Sequence, residues 1–202
     1  MLRLPKSTEI SKALPKKAIF DRFNVSPSDR KLFDEQITRL SIVGEISPQT
    51  VAVKAGATVA AVYVVLVTLK TATCSPKNIE LLTKLIDQRM LFVLQFGDTA
   101  RLAVYRAGKV LMSESKPLPE WELHLTGLEM EAVWENIIAQ IGGFDLSGGK
   151  DIDEIIIEND RREKLLRQIA ALEKKAMNER QPRRKWEYVE TIKRLKAELE
   201  EL

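Results

Sequence analysis

The chain of 202 residues carries 32 basic and 29 acidic side chains, a net charge of +3, and is 45% hydrophobic and 30% charged. That balance excludes a disordered chain, which lacks the apolar surface to offset the entropy of ordering, and it gives no overall attraction to nucleic acid or a membrane. The single cysteine, Cys74, excludes an intramolecular disulfide and fits a reducing compartment, so the cytoplasm is expected.

Met1 to Glu9 holds two basic residues but no apolar core, so no secretory signal is expected there. The longest uncharged run, Ala55 to Leu69, spans 15 residues, short of the ~20 that a membrane helix needs. No membrane partner is expected. The segment through Pro15 mixes Pro, Lys and Ser and reads as extended along the domain surface. Ser26-Pro27-Ser28-Asp29 then supplies a capping serine, a first-turn proline and an acid. With Leu32, Phe33, Ile37 and Leu40 at helical spacing, it predicts a helix from about Pro27 to Leu40. Past the Ser47-Pro48 break, β-branched runs predict strands over Thr50–Lys54 and Val59–Leu69.

Ser75-Pro76 repeats the helix-start signal. Ile79, Leu82, Leu85 and Ile86 share a face, which predicts a crossover helix to about Arg89. Three hairpin-linked strands, Leu91–Phe96, Arg101–Arg106 and Lys109–Ser113, are separated by Gly97-Asp98 and Ala107-Gly108. Thr126-x-x-Glu129 has the form of a capping box ahead of Met130, Val133, Trp134, Ile137, Ile138 and Ile141, an apolar stripe that stops at Gly142-Gly143.

Four glycines between Gly142 and Lys150 disfavour regular structure, and residues 144–150 read as a linker. Beyond it, Leu165, Ile169, Leu172 and Ala176, then Tyr188, Ile192, Leu195, Leu199 and Leu202, recur at alternating spacings of four and three. Pro182 lies between the two runs and is disfavoured inside a helix, so two helices meeting at Asn178–Pro182 are expected rather than one rod. The expected architecture is mixed α+β: residues 1–143 form a mostly antiparallel sheet with packed helices, and residues 151–202 form a charged, coiled-coil-like antiparallel hairpin.

Sites with chemistry are scarce. Gly143 to Asp151 superficially resembles a phosphate-binding loop, but Gly149 stands where the lysine belongs and the segment follows a helix, which favours a linker. His124, the only histidine, lies next to Trp121 in an expected short strand and reads as structural. Cys74, before the Ser75 cap, has no partner base in view and reads as a passive thiol. The strand Val59–Leu69 contains no acid, unlike a restriction-type nuclease strand that holds Mg²⁺. No cofactor, metal or catalytic residue is assigned.

The strongest local feature is basic. Lys174, Lys175, Arg180, Arg183, Arg184 and Lys185 crowd the expected hairpin tip, interrupted only by Glu179, with Trp186 and Tyr188 just beyond. Such a tip can neutralise phosphates while Trp186 stacks on a base or an arginine. Residues 151–202 nevertheless hold 13 basic and 13 acidic side chains, so a solvated or protein-contacting helical surface is the alternative. A second basic group, Lys12, Lys16, Lys17 and Arg22, reads as ordinary surface.

Leu4-Pro5-Lys6-Ser7-Thr8-Glu9 with Pro15, Ser47-Pro48-x-Thr50, Leu85-Ile86-Asp87 leading into Leu91-Phe92-x-Leu94, Gly127-Leu128 before Trp134, and Leu195-Lys196-Ala197-Glu198-Leu199 span nearly the whole chain. In these the chain resembles an uncharacterised prokaryotic family, domain of unknown function 4391. At the tip it departs from the family's pattern: Gln181 is followed by Pro182-Arg183, where Phe-Asn is usual. The resemblance brings no catalytic residues. It implies a setting beside large helicases and DNA methyltransferases in mobile or phage-defence loci, which is association and not mechanism.

Three readings of function stand. The first is a non-catalytic accessory or scaffold protein of a nucleic-acid-processing system, acting on a protein partner or a second copy through the C-terminal helices. The second is direct DNA or RNA binding by the basic tip. The third is a hydrolase or nuclease assembled from acids distant in sequence, such as Asp87, Asp98, Glu114 and Glu122.

Overall fold

The runs Ile37–Ile46 and Val62–Leu69 are rich in Ile and Val, which pack well on a pleated surface, and both form strands. The structure is a computed structural model that describes residues 1–22, 25–84 and 88–202. It divides into two compact units, Met1–Gly148 and Gly149–Leu202.

The first unit contains a mixed seven-stranded sheet. Its strands are β1 (Glu9–Ala13), β2 (Ile37–Ile46), β3 (Val62–Leu69), β4 (Arg89–Phe96), β5 (Thr99–Arg106), β6 (Lys109–Met112) and the two-residue β7 (Lys116–Pro117). The first six lie side by side in chain order, and β7 pairs with β5. Neighbours are antiparallel except β3 and β4, which run parallel from the Val62–Arg89 pair onward. A parallel pair needs a crossover, and the helix Pro76–Thr83 lies in that connection.

Helices α1 (Lys16–Arg22), α2 (Pro27–Gln36) and α3 (Pro76–Thr83) cover one face of the sheet. Ile19, Phe33, Ile79 and Leu82 meet Val65, Val67, Phe92 and Leu94 in one buried cluster. Alternation along the strands buries the opposite set as well, including Val62, Val64, Leu91, Val93 and Leu102. Helix α4 (Met130–Gly142) packs on that second face, with its whole apolar stripe buried. It ends at Gly143, whose φ of 68° is the left-handed C-cap conformation that glycine adopts without strain.

Several expectations need correction. The helix expected over Pro27–Leu40 stops at Gln36, and Ile37–Ile46 is strand β2. Ile37 and Leu40 satisfy a period of two as readily as 3.6, and long-range pairing with β3 decides the matter. Residues 50–54 form no strand. The Thr50 hydroxyl accepts from Ser47 N at 2.9 Å and donates to the Glu45 carbonyl, which turns the chain. The N-terminal segment does more than lie extended, since Glu9–Ala13 pairs with β2 as an edge strand.

The helix expected to reach Arg89 ends at Thr83, and Arg89 already belongs to β4. Leu85, Ile86 and Asp87 lie outside the described residues. Ser75 makes no side-chain cap; Gln36 Oε1 accepts from Ser75 N at 2.7 Å and from Asn78 Nδ2 at 2.9 Å instead. Thr126 does not cap α4 either, because the helix opens at Glu129 and Met130 N donates to the Lys54 carbonyl. No strand forms around Trp121 and His124; Gln140 clamps the His124 backbone at both N–H and carbonyl.

Ser26 caps α2 as expected, accepting from Asp29 N at 3.1 Å. Ser26→Ala should therefore lower stability by about 1 kcal/mol, seen as an earlier urea midpoint with unchanged slope.

The second unit is an antiparallel hairpin of α5 (Ile152–Asn178) and α6 (Pro182–Glu200). Asp151 caps α5 by accepting from Asp153 N at 2.7 Å. Leu165, Ile169, Ala176, Ile192 and Leu195 form its buried seam, flanked by Leu172, Tyr188, Leu199 and Leu202. Arg161 to Glu198 at 2.6 Å and Lys196 to Glu173 at 2.9 Å tie the two helices on the outside. Among the described residues no helix is long and apolar enough to cross a membrane.

Candidate functional site

The turn between α5 and α6 is three residues, Glu179-Arg180-Gln181, in which Gln181 N donates to Glu179 Oε1 at 2.9 Å. All six basic residues singled out at the tip are exposed: Lys174 and Lys175 close α5, Arg180 lies in the turn, and Arg183, Arg184 and Lys185 open α6. Trp186 is 64% exposed and Met177 85%. Tyr188, by contrast, belongs to the seam.

Among the described residues only Arg183 of the six has an ion pair, a loose one to Glu187 at 3.6 Å. The start of a helix carries partial positive charge from its free N–H groups and favours acids there. The first turn of α6 has none, and three cations stand there instead. Charge at the tip is thus stacked against the intrinsic preference of the helix, and an anion arriving there relieves both the dipole and the crowding.

The other residues weighed from the sequence come out as structure. Burial pushes the Cys74 thiol up to about 11, against a smaller opposing effect from Asn78, so it stays a neutral thiol at physiological pH. Lys16 pairs with Asp34 at 3.1 Å and donates to the Ile37 carbonyl, fastening β2 to the preceding helix. In the glycine-rich segment, Asp145 accepts from Ser147 N and Oγ, and Lys150 is held by both oxygens of Glu158. Glu122 is paired with Arg3 at 2.6 Å. None of the cavities described takes in two of Asp98, Glu114 and Glu122, and Asp87 lies outside the described residues. Among the described residues no three His, Cys, Asp or Glu side chains are placed to hold a metal ion.

A second region, on the first unit, has more chemistry than its sequence suggests. Glu131, in the first turn of α4, accepts through Oε1 from the backbone N–H groups of Thr58 and, at 3.0 Å, Val59. A Cβ at Gly56 would meet the Glu131 carboxylate in its present position. Three residues along α4, Trp134 is 1% exposed and its indole Nε1 has no hydrogen-bond partner among the described residues. Trp134 and Thr58 both line a cavity of about 410 Å³.

The Thr58 hydrogen bond foremost, with Val59, holds the Glu131 carboxyl below its ordinary 4.5, against the opposing effect of burial. A depressed folded pKa contributes stability above the unfolded value, lost as pH falls through the folded one. Glu131→Gln should therefore be less stable than the parent at pH 7, and the gap should close as the pH drops below 4.5. Thermal melts across that range check it.

The family model described as a domain of unknown function (DUF4391) matches residues 2–199, nearly all of the chain. The chain belongs to this family. No curated protein and no solved structure matches it. The DUF4391 description carries no activity, so what this member does has to be argued from its own side chains. The tip cations are visible in the sequence because they are contiguous. Glu131 and Trp134 are hidden in this DUF4391 chain: the tryptophan sits within an apolar stripe that reads as core, and only the fold brings Thr58 to Glu131. Gly56, two residues after the Thr50–Lys54 run, is no signal by itself.

Proposed function

We propose that this DUF4391 protein is a cytoplasmic, non-catalytic accessory component of a nucleic-acid-processing system, and that it contacts nucleic acid through the tip of its C-terminal hairpin. A setting beside helicases or DNA methyltransferases in phage defence is the one its family resemblance implies. The observation that carries the reading is the tip itself: five exposed cations without an ion pair among the described residues, two of them in the first turn of α6, beside the exposed ring of Trp186. Backbone phosphates match the cations, and a base without a stacking partner matches the ring. Contact of this kind reads shape and charge and no particular sequence.

The apolar seam supports no such role, since each helix of the hairpin already buries it against the other. A protein partner remains the second reading on one observation, the exposed Met177 and Trp186 at the same tip. Both residue types are enriched at the centres of protein interfaces.

Salt separates the two. Titrated with a labelled oligonucleotide, the protein should bind with an affinity that falls linearly in log–log form as salt rises. Absence of binding at low salt, or binding indifferent to salt, overturns the nucleic-acid reading.

A further inference from the structure

We propose that the cavity at the end of the sheet where β3 and β4 begin is a binding site for a small ligand that joins an oxyanion to a planar ring, the shared chemistry of nucleoside monophosphates and aromatic carboxylates. Its lining draws on both helical layers. Thr58 precedes β3, Thr83 ends α3, Gln88 precedes β4 and Arg89 opens it, Tyr105 lies near the end of β5, and Trp134 comes from α4. At about 410 Å³ the cavity falls in the range of small-molecule sites.

Those six side chains each carry a hydrogen-bond donor, the apolar Ala60 and Met90 complete the described lining, and none of the described lining residues is acidic. A donor-rich wall with no carboxylate among its described residues suits an anion. Arg89 supplies the charge: it is the first residue of β4, its backbone fixed by pairing with Val62, and among the described residues it makes no ion pair. A guanidinium of this kind grips a carboxylate or phosphate through two parallel N–H groups.

The second observation is Trp134. Buried N–H groups almost always find an acceptor, and this one, on a side chain that lines the cavity and is 1% exposed, has none among the described residues. An acceptor atom brought by the ligand completes it. Glu131 does not line the cavity, and its Oε1 is taken by the Thr58 and Val59 N–H groups. Its role is to hold Thr58 in the wall. The ring is assigned to Tyr105, whose side chain is 37% exposed and free for an offset stack. Inorganic phosphate alone would leave most of the volume unfilled.

The test uses the full chain with Trp121→Phe and Trp186→Phe, which leaves Trp134 as the single emitter of the three tryptophans. Its fluorescence is titrated separately with adenosine 5′-monophosphate, benzoate and inorganic phosphate. A saturable change with a Kd at or below about 1 mM is expected for at least one of the two ring-bearing probes. Which one responds identifies the oxyanion. Phosphate should bind about tenfold or more weakly, and Arg89→Ala should weaken the ring-bearing probe by about tenfold or more, the scale of one charge-assisted hydrogen bond. Should the double Phe variant not fold, the same probes are compared by thermal shift on the parent chain and on Arg89→Ala. No saturable response to either ring-bearing probe, equal affinity for phosphate, or an affinity untouched by Arg89→Ala overturns the proposal. None of these results bears on the hairpin tip, which has its own salt titration.

Discussion

Reversing Arg180, Arg183, Arg184 and Lys185 to Glu is expected to abolish oligonucleotide binding while leaving the fold intact. From Lys174 to Trp186 the chain holds six basic side chains against Glu179 alone, a surplus of five charges that the four reversals turn into a deficit of three. Each phosphate neutralised contributes about 0.9 to the salt slope on duplex DNA, so the four sites account for a slope of about 3 to 4. Raising salt from about 50 to 200 mM should then weaken the parent roughly 100-fold through these residues alone. Fluorescence anisotropy at several salt concentrations reads both quantities. Trp186→Ala separates the other component. It should lower affinity for single strands by the 1–3 kcal/mol typical of one stacked base, about 5- to 150-fold, with the salt slope unchanged.

The same four reversals have an opposite expected effect on stability. All four residues are exposed and outside the seam, and acids in the first turn of α6 suit the helix dipole better than the cations do. The variant should melt no earlier than the parent. A binding-deficient variant of equal or higher thermal stability points to recognition at the tip; one that also loses helical signal points to damage.

Phe33→Ala is expected to be the most damaging single core substitution on the face covered by α1 to α3. The ring is fully buried, meets Phe20 edge-on at 5.4 Å between centroids, and lies 5.9 Å below the Lys16 ammonium. Truncating such a ring costs about 3–5 kcal/mol, a large share of the 5–15 kcal/mol that stabilises a typical domain. It also removes the floor under Lys16, whose bonds to Asp34 and to the Ile37 carbonyl join α2 to β2. Loss of near-ultraviolet dichroism from the buried Trp134 at a markedly lower urea concentration is the expected readout. Leu166→Ala, at a side chain 47% exposed on α5, should shift the same midpoint by no more than about 0.5 kcal/mol.

Legibility in the sequence followed the range of the interactions. The β4 to β6 meander is readable because Gly97-Asp98 and Ala107-Gly108 mark its turns locally; Gly97, Ala107 and Gly108 all have positive φ. The hairpin is readable because Pro182 and the spacing of the seam are local too. Strand β2 is not, since Ile37 and Leu40 fit both periods and only the partner strand β3 distinguishes them. The start of α4 is hidden for a related reason: Thr126 and Glu129 have the spacing of a box, yet the chain around Lys54, more than 70 residues away, satisfies the Met130 N–H. The cavity beside Trp134 is the extreme case. Its lining comes from five separate stretches of chain, and nothing in any one of them announces a site.

The opening of α6 has one more consequence. Pro182 begins it, no side chain caps it, and Arg183, Arg184 and Lys185 repel one another across its first turn. In landscape terms this is a patch of local frustration at the end of an otherwise consistent element. Its amides should exchange with solvent sooner than those along the seam, because fraying there breaks few buried contacts. On the proposed reading an anion settling on the turn removes the conflict, so occupancy and order should rise together, and the tip should become rigid only when it is occupied.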